Sequence, residues 1–374
     1  MTQAPSQTRP YIGGQAVLEG VMMRAPSSFA VVLRRRDGSL LVRERHVTDE
    51  RRGMRKWPLV RGVASLVESL RLGSEALRFS ADQMSADYEA EERENRKAQK
   101  GPITSALMAL GLWLFTLATT DASDPDPGAS EKREGSKGPQ LIMLVVAVGF
   151  LIALPQAASA GVNRLLHLGL EVQSPGFQLL TGAFKLTIVV SYLLLIRRMA
   201  EIRRVFQYHG AEHKTISTYE ANEPLTVANA RAKTTLHPRC GTTFLVMVAL
   251  VSIVVFTAVG GLLPRIHTDN ALLDNVIFFF EKLPFLPLLA AVTFEVQRFF
   301  ARFCTQGPLR ALLWPGFLVQ KVTTIEPDDD QLEVALASLQ ATLFRESEMG
   351  VDGGDVAFAS YDAIAQAERL RPAA

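Results

Sequence analysis

The apolar residues of this 374-residue chain gather into five blocks, and these blocks constrain the fold more than any other feature of the sequence. A helix needs roughly 20 predominantly apolar residues to cross the ~30 Å hydrocarbon core of a bilayer. The block at 243–263 meets this requirement best, and those at 103–120 and 283–303 meet it least. The other two lie at 141–160 and 179–196. The sequence therefore predicts a polytopic α-helical membrane protein.

Basic residues near the ends of the blocks predict the topology, because Lys and Arg concentrate on the cytoplasmic side of a membrane. Arginines are dense at 34–55, at 197–204 after the third block, and at 298–310. Both termini are therefore expected in the cytoplasm, which requires an even number of crossings. We expect four spans in the cytoplasmic (inner) membrane rather than the five that hydropathy alone gives. The block to discount lies within 101–160, beside a polar insert at 121–139.

Composition excludes several classes of protein. The polar start MTQAPSQTRP lacks the short apolar core and the cleavage site of a secretory signal. Cys240 and Cys304 are the only cysteines, which is far from a disulfide framework and fits a reducing compartment. A net charge of +2 predicts no nucleic-acid partner. Membrane lipids are the expected surroundings.

The polar parts of the chain predict a small cytoplasmic α/β portion. Residues 29–47 alternate around Asp37-Gly38, a dipeptide that favours a tight turn, so we expect a β-hairpin there. Residues 58–77 predict an amphipathic helix that either lies on the membrane or packs on the hairpin. We expect 314–330 to be extended, 331–344 to be helical, and the tail from Arg345 to be loosely attached.

These elements divide the chain into five parts. A cytoplasmic N-terminal part covers 1–100, and membrane helices with the polar insert cover 101–200. A cytoplasmic loop at 201–242 carries His, Glu and Cys motifs. Further membrane helices cover 243–304, and a cytoplasmic segment with a helix covers 305–374.

The most informative motif is H-x-x-E-H, formed by His209, Glu212 and His213. If the helix of the third span continues through this stretch, all three side chains fall within about a 100° arc of it. Two histidines one turn apart can bind zinc, and the glutamate between them can act as a general base on bound water. The alternative is that these polar residues are the solvated end of a transmembrane helix.

A metal site needs a further ligand, and the stretch LHPRCGT at 236–242 offers two candidates, His237 and Cys240. They are three residues apart around a proline and lie on the same side of the membrane as the first motif. The predicted ligands are therefore His209 and His213 with His237, Cys240 or both, around a divalent metal of the zinc type. Without a metal, His237 is an ordinary hydrogen-bonded loop residue and Cys240 a small buried side chain.

The stretch YIGGQAVLEGVMMRAP at 11–26 places Gln15, Glu19 and Arg24 among apolar residues. Buried polar groups must find partners, and Gly13-Gly14 permits a close approach of the backbone. Glu19 is a second candidate for the base or a ligand. A Glu19–Arg24 pair that holds the N-terminal segment in place explains the same residues equally well.

Two ionisable residues lie within the apolar blocks, Lys185 in the third and Glu295 in the fifth. Such groups are costly at membrane depth and are therefore candidates for function. Glu295 can pair with Arg298 or with Lys185. A transporter would require Lys185 and Glu295 to share a water-filled path.

Three stretches, GGQAVLEGVMMR, FQYHGAEHKTISTYE and HPRCGTTF, together with PGFLVQKVTTIEPDDDQLEVAL, resemble the YqhQ-like family of bacterial membrane proteins. This family is a domain of unknown function that is labelled a predicted metal-dependent enzyme. The resemblance runs from about Tyr11 to Phe344, and the insert at 121–139 departs from the shorter family pattern. It implies a membrane protein with a metal site. Its motif positions fall on Gln15, Glu19, Gly20, Arg24, His209, Glu212, His213, His237, Arg239 and Cys240.

The predicted function is that of a metal-dependent enzyme of the hydrolase class at the cytoplasmic membrane surface. Glu212 or Glu19 would act as base, and Arg239 or Arg24 would steady an anionic substrate. A lipid-linked head group and a membrane-associated peptide fit this location equally. The alternative is a non-catalytic scaffold or assembly factor whose basic cytoplasmic face binds a protein partner or anionic lipid.

Overall fold

The structure, a computed structural model, describes residues 9–47, 60–94, 149–260, 263, 268, 270–304, 307–348 and 354–367. The predicted block at 103–120 and the insert at 121–139 lie outside these residues. The described residues are mostly helical and include one antiparallel sheet of five strands.

The strands follow one another across the sheet in sequence order, β1 to β5. They are β1 (Gly13–Val17), β2 (Gly20–Arg24), β3 (Ser28–Arg34), β4 (Leu40–His46) and β5 (Asp355–Phe358). The predicted hairpin is confirmed, because β3 pairs with β4 and Gly38 takes a positive φ of 85° in the turn between them. Residues 13–24 add a second hairpin that alternation did not reveal. Its strands are buried on both faces, so apolar residues occupy consecutive positions.

Eleven helices accompany the sheet in the described ranges, apart from short π and 3-10 turns. The first six are α1 (Val60–Glu94), α2 (Leu154–Leu165), α3 (Pro175–Ile196), α4 (Ala200–Glu220), α5 (Val227–Arg231) and α6 (Thr242–Gly260). The remaining five are α7 (Ala271–Lys282), α8 (Leu286–Phe303), α9 (Trp314–Thr323), α10 (Asp329–Ser347) and α11 (Tyr361–Gln366).

The sheet lies between helices. On one face, Leu72, Ala76 and Phe79 of α1 pack against Val31 and Met22, so the amphipathic helix packs on the sheet. On the other face, α10 lies across the central strands and α4 lies along β1. This three-layer arrangement buries apolar residues from both ends of the chain in one core.

Helix α10 joins the C-terminal part of the chain to the sheet. A capping box between Asp328 and Gln331 starts it, which confirms the predicted helix and places its start at Asp329. Arg345 near its end donates to Glu44 of β4 at 3.1 Å, and the two side chains are only 3% and 4% exposed. The tail beyond it was expected to be loose, yet β5 pairs with β4 and Ile364 of α11 is fully buried.

Two further expectations about local structure were wrong. The stretch 201–242, expected as a loop, is largely helical, because α4 spans Ala200–Glu220 and α5 spans Val227–Arg231. Helix α4 does not continue α3, because residues 197–199 between the two helices are not helical. Residues 314–323, expected to be extended, form α9. Pro at the second position of α9 is compatible with a helix start, where no backbone N–H is needed.

Two helical segments in the described residues are long and apolar enough to cross a membrane. They are Pro175–Ile196, with 22 residues, and Leu273–Phe300, with 28. The first matches the predicted block at 179–196, and the second contains most of the block at 283–303. Helix α6, predicted as the strongest span, contributes a shorter apolar stretch at Val246–Val259. The described end of the block at 141–160 forms a π-helical turn and the start of α2.

Candidate metal centre

Helix α4 carries the H-x-x-E-H motif at the junction between the sheet layer and the apolar helices. Gly210, inside the motif, allows the segment after α9 to lie directly against the helix. A Cβ at Gly210 would stand 2.1 Å from the backbone oxygen of Ile325, and the Ile325 N–H donates to Phe206 O at 3.0 Å. Close packing against Ile325 therefore explains why a glycine occupies this position, although glycine weakens a helix.

Backbone carbonyls fix the two histidine rings in one tautomer. His209 Nδ1 lies 2.9 Å from Thr323 O, and His213 Nδ1 lies 2.5 Å from Thr235 O. A carbonyl oxygen can only accept, so each Nδ1 carries the proton and donates. Each Nε2 is then left with a lone pair, which is the form in which histidine binds a metal.

The two Nε2 atoms and the Cys240 sulfur converge. One ligand atom from each of His209, His213 and Cys240 lies within 4.8 Å of the others. His209 Nε2 is 3.1 Å from Cys240 Sγ, and the two imidazole centroids are 4.4 Å apart. All three residues are buried, with exposed fractions of 1%, 1% and 6%. His213 Nε2 is buried and has no hydrogen-bond partner among the described residues.

Burial also keeps both imidazoles neutral. Desolvation lowers the pKa of His209 to about 4, and it lowers the pKa of His213 well below its usual value. The positive charge that His209 or His237 would carry lowers the pKa of His213 further. At neutral pH both rings can therefore act as ligands without first losing a proton.

His237 lies beside this group in a hydrogen-bond network of its own. Its ring centroid is 5.6 Å from that of His213, while its Nε2 is 3.3 Å from Glu220 Oε2. The side-chain amide of Gln320 accepts from His237 N–H at 2.9 Å and donates to His237 O at 2.8 Å. Of the two candidates for the third ligand, Cys240 lies in the cluster, whereas the ring of His237 is hydrogen-bonded to Glu220.

Comparison with known proteins matches most of the chain to a family. The family model described as "Protein of unknown function (DUF1385)" matches residues 57–345. The chain belongs to the DUF1385 family. A relative, "Uncharacterized protein YqhQ" of Bacillus subtilis (strain 168), is 29% identical over 345 residues, which cover 89% of this chain and 92% of the relative. No solved structure matches. The family resemblance seen in the sequence is thereby confirmed, and neither description gives an activity.

In this DUF1385 chain, Glu212 is held against the first strand. A Cβ at Gly14 would lie 2.7 Å from Glu212 Cγ and 2.8 Å from its Oε1, so β1 can approach the helix only because Gly14 has no side chain. Glu212 is 5% exposed. The close backbone approach predicted for Gly13-Gly14 is therefore observed, and it packs the strand against the carboxylate of the motif.

The other polar residues of the first stretch have different partners from those considered. Glu19 lies in the turn between β1 and β2 with a φ of 52° and accepts from Arg204 Nε at 2.6 Å. Arg24 donates to Glu68 of α1 at 3.1 Å. The Glu19–Arg24 pair is thus replaced by two separate ion pairs. Gln15 is 1% exposed, and its amide atoms have no hydrogen-bond partner among the described residues.

Arg239 lies at the edge of the histidine group. It forms an ion pair with Glu220, and its guanidinium carbon is 4.7 Å from the ring centroid of Tyr11. Its side chain is 25% exposed, so it stands between the buried cluster and the surface. Glu220, the residue that links Arg239 and His237, was not a candidate in the sequence, because nothing marks it among the charged residues that follow the motif.

Neither ionisable residue of the apolar blocks belongs to the group formed by His209, His213 and Cys240. Lys185 donates to Ser252 Oγ of α6 at 2.9 Å, so its partner is a hydroxyl and not Glu295. Glu295 is half-buried on α8. The described residues also include a buried lysine that the sequence did not suggest, Lys282, which is 3% exposed. It falls one residue before the apolar block that began at 283.

Proposed function

We propose that His209, His213 and Cys240 bind a divalent metal ion of the zinc type. The observation that carries this proposal is the buried Nε2 of His213, a lone pair with no donor among the described residues. Buried polar atoms without partners are rare in folded proteins and call for an explanation. An ion shared with His209 Nε2 and Cys240 Sγ provides one, because two imidazoles and a thiolate are ligands that zinc prefers.

Three ligands from the chain are typical of a catalytic rather than a structural zinc site, which uses four. A zinc-type ion bound there would supply Lewis acidity and lower the pKa of a water molecule at its open position. Glu212, one residue before His213, would be the base that accepts the proton of that water. Glu19 is a weaker candidate for the base, because its carboxylate accepts a hydrogen bond from Arg204.

Arg239 supports the binding of an anionic group near the site. It is partly exposed, and its ion pair with Glu220 can be exchanged for a ligand carboxylate or phosphate. His237 bridges Glu220 and the ring of His213. The reaction class that suits this set is hydrolysis of a bond next to an anionic group. A lipid-linked head group and a membrane-associated peptide both satisfy that description.

The proposed location is the cytoplasmic surface of the inner membrane, with several spans and both termini inside. The two long apolar helices support it, as do large apolar side chains left exposed on the helices outside the sheet layer. Examples are Leu195, Val254, Phe280 and Phe299. Four arginines follow the end of α3, namely Arg197, Arg198, Arg203 and Arg204. By the positive-inside rule they favour a cytoplasmic position for that end and for the proposed metal site beyond it.

Metal content of the detergent-purified protein tests the proposal. We expect about one zinc-type ion per chain in the wild type and none in the His209→Ala, His213→Ala double variant. His167→Asn is the control, because His167 is exposed, lies far along the chain from the site and has a positive φ that asparagine tolerates. Equal metal content in the wild type and the double variant, with both folded, would overturn the proposal.

The second candidate is a metal-stabilised scaffold rather than an enzyme. Its supporting observation is that the cluster ties together three separate segments, namely α4, the loop before α6 and the end of α9. Removal of the metal by a chelator separates the two candidates. A large fall in the unfolding temperature would favour the scaffold. An unchanged unfolding temperature in a protein that still rebinds zinc would favour the catalytic role.

A further inference from the structure

Two lysines lie inside the bundle of apolar helices, far from the histidine cluster in sequence. Lys185 is at the middle of α3, and Lys282 is the last residue of α7, within the second long apolar segment. Lys282 is 3% exposed and Lys185 is half-buried. Among the residues that the structure describes, neither forms an ion pair. A buried charge without a counter-charge is costly, so the presence of two lysines among these apolar helices needs an explanation.

Within the described ranges, each ammonium group has a single hydrogen-bond acceptor. Lys185 Nζ donates to Ser252 Oγ at 2.9 Å, and Lys282 Nζ donates to Gln156 Oε1 at 3.0 Å. The acceptors are held in place, because Ser252 donates to Ala249 O at 2.7 Å and Gln156 donates to Asn275 O at 2.6 Å. An ammonium group has three N–H donors. Each lysine therefore retains donors that these neutral partners do not use.

The two positive charges also act on each other. Both lysines face the same stretch of α6, because Lys185 contacts Ser252 and Lys282 lies 5.3 Å from the ring of Phe256, one helical turn further along, so like charges there would repel each other. Aromatic faces lie near Lys282, with its Nζ 4.3 Å from the ring centroid of Phe278 and 5.3 Å from that of Phe256. These rings stabilise a cation only weakly compared with an ion pair. The hydroxyl of Ser252 and the amide of Gln156 carry no negative charge, so they do not offset the repulsion between the two ammonium groups.

A large cavity reaches the hydrogen-bond chain that holds Lys282. Its volume is about 1550 Å³, and its wall includes Asn275 of α7 and Gln156 of α2, the residue that accepts from Lys282. Arg164 and His167 line it at the turn after α2, and Phe278 contributes apolar surface. The wall also carries the acidic residues Glu171, Asp274 and Glu281, so a ligand in this cavity would pass charges of both signs beside apolar surface.

We propose that Lys185 and Lys282 form an anion-binding site whose ligand is a phosphate group that enters through this cavity. Two ammonium groups match the charge of a phosphate monoester, which is about −1.5 to −2 at neutral pH. A phosphate also offers enough oxygens to accept from both lysines at once. The phosphate can be free or carried by a lipid, since the apolar walls suit an acyl chain. This inference is independent of the metal site.

Glu281 is expected to lower the affinity of the site for an anion. Its carboxylate lines the same cavity, and its Oε2 is buried without a hydrogen-bond partner among the described residues. A negative side chain in the wall weakens the binding of an anion at the lysines. Glu281→Gln should therefore raise the affinity for phosphate, whereas loss of either lysine should lower it.

Thermal unfolding of the full chain in detergent tests the proposal with inorganic phosphate as the probe and sodium chloride at equal ionic strength as the reference. Phosphate should raise the unfolding temperature of the wild type in a concentration-dependent way, because ligand that binds only the folded state stabilises it. The Lys185→Met, Lys282→Met double variant should lose this response. It should also unfold at a higher temperature than the wild type without phosphate, because a buried repulsion is removed. Lys321→Gln, at an exposed position on α9, is the control that keeps the response.

If the double variant does not fold, the single variants Lys185→Gln and Lys282→Gln replace it, each with an expected affinity about tenfold weaker. A wild type that responds equally to phosphate and chloride, or variants that respond like the wild type, would overturn the proposal. Phosphorus analysis of the purified protein separates the sources. Phospholipid that stays with the wild type and is lost from the lysine variants identifies a lipid phosphate, and a phosphate response without bound phospholipid identifies the free ion.

Discussion

His209 Nε2 lies 3.1 Å from Cys240 Sγ, although 31 residues separate the two along the chain. Because His209 Nδ1 already donates to Thr323 O, its Nε2 faces the sulfur as an acceptor, and the Cys240 thiol donates to it. A metal ion that replaces the thiol proton would convert the contact into two bonds to one centre.

Cysteine 240 should be essential for tight metal binding. Cys240→Ala removes one of three ligands and should weaken zinc affinity by at least about 100-fold, as measured by competition with a chromophoric chelator. Cys304→Ala is the matched control, because Cys304 is also a free, fully buried cysteine but lies in a separate apolar cluster with Leu313 and Phe317. Equal affinities of the two variants would show that the sulfur is not a ligand.

Gly210 should be intolerant of any side chain. Gly210→Ala places a methyl group 2.1 Å from Ile325 O, so α4 and the segment after α9 must separate, at an expected cost of about 2–4 kcal/mol in the free energy of unfolding. Gly161→Ala, in α2 with open space around the added methyl group, should instead stabilise by up to about 1 kcal/mol. Chemical denaturation of both variants measures the difference, and a neutral Gly210→Ala would contradict the packing.

The metal-free protein should lose stability as the pH falls below about 6.5. The pKa of His209 is about 4 in the folded chain and near 6.5 when unfolded, so the unfolded state binds the proton first. The stabilisation is complete above the unfolded pKa and decreases as pH falls toward the folded one. The slope should reach at most about 1.4 kcal/mol per pH unit for each buried histidine. Denaturation with a chelator present, compared with His209→Asn, measures it, and an unchanged slope in the variant would exclude this residue as the cause.

The buried ion pair between Glu44 and Arg345 should matter far more than the exposed one between Arg43 and Asp355. Glu44→Gln leaves Arg345 buried without its counter-charge and should cost about 3–5 kcal/mol. Asp355→Asn breaks a pair whose side chains are 22% and 38% exposed and should cost less than about 1 kcal/mol. Free energies of unfolding from denaturant titrations compare the two. Similar costs would show that α10 is not anchored to β4 through this pair.

Much of the site was predictable, because its pattern is local. The spacing of His209, Glu212 and His213 requires only a helix, and α4 provides one. Cys240 was identified as a candidate by its position before the fourth block, but the choice between it and His237 depends on tertiary contacts with Thr235, Gln320 and Glu220. Backbone carbonyls that orient the rings carry no residue-specific signal, so the sequence could not show them.

The sheet was less predictable for a physical reason. Strands β3 and β4 are joined by a turn dipeptide, whereas β1 and β2 are covered on both faces and lack alternation. Strand β5 comes from the far end of the chain and contains only four residues. Lys282 was missed because a window of apolar residues excludes a lysine at its edge, although the tertiary structure buries that lysine.

X-ray absorption at the zinc edge of the zinc-loaded wild type identifies the atoms bound to the ion. We expect two imidazole nitrogens at about 2.0–2.1 Å and one sulfur at about 2.3 Å from the zinc. The sulfur contribution should vanish in Cys240→Ala and persist in Cys304→Ala. A shell of nitrogen and oxygen alone in the wild type, or a sulfur signal that survives Cys240→Ala, would contradict a centre formed by His209, His213 and Cys240.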